Sequence, residues 1–221
     1  MTLKDLKNDR EITAIVSVSE EQIEMLGYTE HSIRHVSIVA KRAGELLKKL
    51  GYDEHTVELA EIAGYLHDIG NSVSRIDHAQ SGAILSYHLL TARGMDYKDA
   101  AQIMMAIGNH DEQFGVPVSA VSAALIIADK SDVHKSRVKN VIEDKYNVEA
   151  IHDRVNLAAE SSFITVDGEN KRIVLEVTID TAVCDVVDYF KIYLNRMNMC
   201  TAAAKLLGYE FGLEINKVRF Q

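Results

Sequence analysis

Apolar residues recur every three to four positions along most of this chain, the spacing of one buried helical face. Residues 2 to 26 carry Ile12, Ile15, Ile23 and Leu26 and end at Gly27, which predicts one or two helices. From about Glu30 to Leu50 an apolar stripe of Ile33, Val36, Val39, Ala40, Ala43, Leu46, Leu47 and Leu50 predicts a long helix stopped by Gly51. Asp53 is placed to cap the next helix, whose stripe of Val57, Leu59, Ile62, Ala63 and Leu66 runs directly into His67-Asp68. A polar loop, Asn71 to Asp77, leads to a helix from near His78 to Arg93-Gly94, and another runs from about Tyr97 to Gly108. After the loop through Phe114 to Pro117, a long apolar helix is expected from Val118 to about Lys139.

The pattern then changes. Ser162 to Val166 and Arg172 to Ile179 alternate or cluster β-branched residues around Asp167-Gly168-Glu169-Asn170, a hairpin signature. A helix from about Thr181 to Leu207 ends at Gly208, and Glu210 to Phe220 reads as a last strand. The expected fold is mainly α, a helical body followed by a small C-terminal α+β (β-β-α-β) unit packed on it. Its divisions are an N-terminal helical segment at 1–28, a helical core at 29–160 and the α+β unit at 161–221.

Composition narrows the functional classes. The 221 residues are 47% apolar and 26% charged with a single proline, ordinary for a globular helical protein. Acidic residues outnumber basic ones 33 to 24, a formal net charge of −9, and no basic stripe is present, which argues against a nucleic-acid partner. A small phosphorylated substrate stays compatible, because bound divalent cations can supply the positive charge. Cys184 and Cys200 lie sixteen residues apart in one predicted helix. That is about 24 Å along its axis, too far for a disulfide, so they read as buried thiols of a reducing compartment. Met1 to Arg10 is polar rather than a signal sequence, and the longest apolar run, Ala123 to Ala128, is too short for a bilayer. The expectation is a cytoplasmic protein with no membrane partner.

Chemistry concentrates in Ala63-Gly64-Tyr65-Leu66-His67-Asp68-Ile69-Gly70-Asn71, where a histidine and an aspartate stand together at the end of an apolar helix. Adjacent residues on a helix point about 100° apart, but at a terminus both can converge on a point beyond the end. His35, His78, His110 and Asp129 lie on four other predicted segments. Asp129 sits among Leu125, Ile126, Ile127 and Ala128, and a carboxylate buried there requires a cation, a metal or a strong hydrogen-bond network. Four histidines and two aspartates suit one or two divalent metals, and the mixed carboxylate argues against a closed structural zinc site.

The order His35, His67-Asp68, His78, His110, Asp129 resembles the HD-domain superfamily of metal-dependent phosphohydrolases. The local context is similar too, in Val39-Ala40 and Ala43 after His35, in His78-Ala-Gln-Ser-Gly82-Ala-Ile-Leu85, and in Ala128-Asp129-Lys130-Ser131-Asp132. The resemblance covers about residues 29 to 140 and implies an HD-domain helical bundle. It further implies a first metal on His35, His67, Asp68 and Asp129, with Asp68 bridging to a second on His78 and His110. The metals are divalent, two in number and drawn from Fe, Mn, Mg, Ni or Zn. The implied reaction is hydrolysis of a phosphomonoester or phosphodiester of a nucleotide or another small phosphorylated metabolite, with Asp68 and Lys130 in catalytic roles.

The chain departs from two patterns in that superfamily. It has Asn109-His110 where the HD-GYP phosphodiesterases carry two adjacent histidines, and only Phe114-Gly115-Val116-Pro117 where they carry Gly-Tyr-Pro, which argues against cyclic di-guanylate. Asn71 stands where many HD proteins have a lysine, leaving Arg75 or Lys130 to supply positive charge to the substrate. His31, one helical turn before His35, reads as a third substrate-binding residue at the rim. Two rivals remain, a di-iron oxygenase of HD fold and a metal-containing ligand-sensing regulatory module. Oligomeric state is open, a homodimer among the alternatives. The other polar residues have plainer readings. His55, His88 and His152 are surface or packing histidines, and Asp132, His134 and Arg137 either line the pocket mouth or form a solvated face. Tyr65, Met104 and Met105 belong to the core, and Tyr189, Phe190 and Tyr193 pack the C-terminal helix.

Overall fold

A computed structural model describes residues 1–28, 32–138 and 154–220. Helices α1 (Leu3–Lys7) and α2 (Arg10–Met25) open the chain, capped by the side chains of Thr2 and Asp9. The body follows with α3 (Ile33–Lys49), α4 (Glu54–Leu66), a 3₁₀ turn at Ile69–Ser72, α5 (His78–Ala92), α6 (Tyr97–Gly108) and α7 (Ala120–Lys130). Val36, Val39, Ala40, Ala43, Leu46 and Leu47 bury the inner face of α3, while Ile33, read with them as apolar stripe, is 43% exposed at the first helical position.

Two glycines set the distances on which the site depends. A Cβ on Gly64 would come within 2.8 Å of Ala40 N, so its absence lets α4 lie directly against α3 and brings the end of α4 to His35. A Cβ on Gly70 would overlap His78 O, so the 3₁₀ turn after His67-Asp68 can rest on the first turn of α5 only with glycine there.

After a second 3₁₀ turn at Lys135–Arg137 and a helical turn at 154–158, the chain forms β1 (Ala159–Asp167), β2 (Arg172–Ile179), α8 (Val186–Leu206), β3 (Glu210–Ile215) and β4 (Val218–Arg219). The sheet order is β1-β2-β3-β4. β1 and β2 are an antiparallel hairpin, β3 joins β2 in parallel after α8, and β4 turns back on β3. α8 packs on α7 and on the sheet, and one apolar core runs through helices and strands alike.

The expected mainly helical body with a β-β-α-β unit is observed, with four local differences. The long helix expected to reach about Lys139 ends at Lys130. Ser131 Oγ donates to Ala128 O, and the chain turns so that Asp132 faces the interior. α8 begins at Val186 rather than Thr181, because Asp180 Oδ1 accepts from Ala182 N and starts a turn instead. Cys184 therefore precedes the helix that holds Cys200; both thiols are buried and free. The last strand is broken by Asn216 and Lys217, both left-handed as a tight hairpin turn requires, into β3 and β4. Leu26 and Met105, expected in the core, are exposed. No helix among the described residues is long and apolar enough to cross a membrane.

Candidate metal centre

Each helix end delivers one or two groups to a single point. His35 comes from the first turn of α3, His67 caps α4, Asp68 follows it, His78 opens α5, His110 follows α6 and Asp129 lies in the last turn of α7. The four imidazoles stand in a row, with ring centres 5.2 Å apart for His35 and His67, 5.0 Å for His67 and His110, and 5.1 Å for His110 and His78. All four are buried.

Asp68 sits between two halves of this row. Its Oδ2 lies 3.1 Å from His67 Nε2 and 3.7 Å from His35 Nε2; its Oδ1 lies 3.6 Å from His78 Nε2 and 3.9 Å from His110 Nε2. Asp129 Oδ1 faces His35 Nε2 at 3.4 Å and His67 Nε2 at 3.6 Å. Two sets of ligand atoms lie mutually within 4.8 Å among the described residues, His35, His67 and Asp129, and His67, Asp68 and His110; His78 belongs to neither.

The other ring nitrogens show what these atoms are for. His67 Nδ1 donates to Gly64 O at 2.9 Å, His78 Nδ1 to Arg75 O at 3.2 Å and His110 Nδ1 to Ile107 O at 2.6 Å, in each case the carbonyl three residues back. A carbonyl can only accept, so Nδ1 carries hydrogen and Nε2 is left to present its lone pair to the centre. His35 Nδ1 is instead 2.7 Å from Asp132 Oδ2, a buried carboxylate that Arg34 and Arg137 also approach. His67 Nε2 is buried and meets no well-aligned hydrogen-bond partner among the described residues. Four converging Nε2 atoms and two carboxylates form a donor set that fits divalent cations.

A comparison with protein families matches the HD domain over residues 30–189. The chain belongs to the HD-domain family. No curated protein matches it. A solved structure of a predicted HD superfamily hydrolase from an uncultured Thermotogales bacterium is 28% identical. The similarity covers 61% of this chain and 75% of that one, at a TM-score of 0.45.

The electrostatics of this HD domain divide the histidines. Burial opposes charge on His67, but Asp68 and Asp129 outweigh it and lift the imidazole to about 10. Burial, with His67 and Lys130 as positive neighbours, pushes His110 down to about 3, and burial, with Arg75 and His67 nearby, lowers His78 as well. Asp129 stays well below the usual carboxylate range despite burial, held there by Lys130 and by His35 and His67. Its partner is close, with Lys130 Nζ 2.5 Å from Asp129 Oδ2. The cation that the apolar surroundings of Asp129 demanded is thus in part the next residue.

Around the centre, four carboxylates (Asp68, Asp111, Glu112 and Asp129) and four cations (Arg75, Lys130, Arg137 and Arg196) line a space of about 30 Å³. Arg75 Nη1 donates to Asn71 Oδ1 at 3.3 Å and stands 3.3 Å from His78 Nε2, while Asn71 Nδ2 donates to Asp68 O and Oδ1, both at 3.0 Å. The amide in the place of the usual lysine therefore ties Asp68 to Arg75. Of the expected substrate-binding residues, Arg75 and Lys130 line the pocket and His31 lies outside the described residues, as does His152.

Of the two readings open for Asp132 and Arg137, the solvated face does not hold, since both are buried and Arg137 Nη1 donates to Asp132 O at 2.8 Å, and Arg137 lines the pocket. His134 instead bonds Ser136 and caps a 3₁₀ turn. His55 pairs with Asp99 on the surface, and His88 is exposed beside Tyr87. Three residues of the site escaped the sequence reading: Asp111, Glu112 and Arg196. The first two directly follow His110, a signal that was available; nothing in the sequence marks Arg196.

Proposed function

We propose that the protein is a metal-dependent phosphohydrolase that cleaves a phosphomonoester or phosphodiester of a nucleotide or another small phosphorylated metabolite. The observation that carries this reading is the row of four Nε2 donors, each with its Nδ1 engaged, set around the two oxygens of Asp68 in a pocket that Arg75, Lys130, Arg137 and Arg196 also line. His35, His67, Asp68 and Asp129 would hold one ion, and Asp68, His78 and His110 a second. Divalent ions supply electron withdrawal from phosphate oxygens and make water a stronger acid at neutral pH.

The protein's own residues do the remainder. Asn71 fixes the plane of the Asp68 carboxylate, so that each oxygen faces one half of the site. Lys130 and Arg75, both lining the pocket, orient a phosphate and offset its charge. Asp129, held ionised, keeps Lys130 at the wall. A donor set of mixed imidazole and carboxylate suits Mn, Fe, Ni or Zn better than Mg, and the same residues can accept a di-iron pair.

The test is phosphate release from a panel of mononucleotides, sugar phosphates and diesters, with chelated protein reloaded under nitrogen with Mn²⁺, Fe²⁺, Ni²⁺, Zn²⁺ or Mg²⁺. Metal-dependent release from at least one substrate is expected. Oxygen uptake with no phosphate release from any of them would replace this reading with the oxygenase one.

A further inference from the structure

Arg196 reaches the pocket from α8, beyond residue 189 where the HD-domain match ends. Its Nε lies 2.6 Å from Glu112 Oε1. The same oxygen faces Lys130 Nζ at 3.8 Å. One carboxylate oxygen, two residues past His110, is thus held between two cations on the pocket wall.

The position of Arg196 is not left to a mobile side chain. Its guanidinium lies 4.7 Å from the centre of the Tyr193 ring, and Tyr193 is fully buried and stacked on Tyr189 at 4.7 Å. α8 itself packs on α7, the helix of Asp129 and Lys130. The planar fork is therefore presented to the pocket ready formed, the arrangement that matches two phosphate oxygens. Side-chain exposure is 22% for Arg196 and 29% for Glu112. The Nε that meets Glu112 is itself buried and finds no well-aligned hydrogen-bond partner among the described residues, so the pair is close but not locked and a phosphate entering the pocket can compete for it.

We infer that Arg196 binds the phosphoryl group of the substrate together with Lys130, and that Glu112 is an internal anion holding both cations in place until phosphate displaces it. The inference rests on the phosphohydrolase reading. It gives the C-terminal β-β-α-β unit a part in the active site, through the one side chain it sends into the pocket among the described residues.

The test is calorimetric titration of the full-length protein, saturated with Mn²⁺, with inorganic phosphate. Metal content and melting temperature are checked for each variant. Arg196→Ala should weaken phosphate binding about tenfold, and Arg196→Lys, which keeps the charge but loses the fork, should fall between it and wild type. Glu112→Gln should tighten binding about threefold, since the competing anion is gone. A purely structural Arg196–Glu112 pair predicts the opposite sign for Glu112→Gln. Unchanged binding in Arg196→Ala, or weakening in Glu112→Gln, overturns the inference and leaves the phosphohydrolase reading standing. Wild-type protein that binds no phosphate brings down both.

Discussion

The two halves of the candidate metal centre use the same side chain with the same orientation and place it in different electrostatic surroundings. In the deep half, His35 and His67 face Asp68 Oδ2 and Asp129, and a further carboxylate, Asp132, stands behind His35. In the mouth half, His78 and His110 face Asp68 Oδ1 at 3.6 and 3.9 Å, Asp111 Oδ1 stands 3.9 Å from His78 Nε2, neutral peptide carbonyls stand behind both rings, and Arg75 already lies 3.3 Å from His78 Nε2. His67 is accordingly lifted to about 10 and His110 depressed to about 3. Orientation alone does not set affinity for a cation; the charge gathered around each ligand does. The deep half should hold its ion tightly and the mouth half exchange it.

The largest effect is expected where the halves meet. Asp68→Asn should weaken both metal equivalents and lower activity about 10³-fold or more, because several kcal/mol of transition-state stabilisation depend on the ions. Loss of a single equivalent would show that Asp68 does not join the halves. Next comes His110→Ala or His78→Ala, each of which should remove the weaker equivalent, leave the tighter one in elemental analysis and cost about 10²-fold in activity. Equal loss of both ions would erase the distinction.

Asp132→Asn probes the charge behind a ligand without removing a ligand. It should weaken the tight metal about 10–100-fold and leave the weak one unchanged. Smallest is a proton count. His67 lies above its ordinary value of 6.5, so below about 10 the metal-free imidazole is protonated, and an ion taking its Nε2 must expel that proton. His110 and His78 are lowered and carry no proton to lose at pH 8. Affinity of the tight site should therefore rise with pH up to about 10, while that of the weak site stays flat between pH 7 and 9. Calorimetry in buffers of different ionisation enthalpy measures both, and proton release from the weak site instead would invert the comparison.

Much of this arrangement was legible in the sequence. The helical stripes end at His67 and near Gly108, where His67-Asp68 and His110 fall, and His35 and His78 lie near the starts of theirs, where side chains leave the helix surface and can meet. What stayed hidden depends on contacts far apart in the chain. Asp132 and Arg137 fall at helical offsets from Asp129 that suggest a surface face. The chain leaves the helix at Lys130 because a buried carboxylate paired with His35 and two arginines outweighs continued helix. Arg196 is one cation on a helix whose apolar stripe accounts for its packing, and its reach to Glu112 depends on how α8 lies on α7. The turn at Asn216-Lys217 lacks glycine, so the final strand read as continuous.

The central claim is best tested by anomalous diffraction from crystals grown with Mn²⁺. The account predicts two peaks per chain, a stronger one among His35, His67, Asp68 and Asp129 and a weaker one among Asp68, His78 and His110. Crystals with no peak at these residues, or with Mn²⁺ held by Asp111 and Glu112 alone, would contradict it.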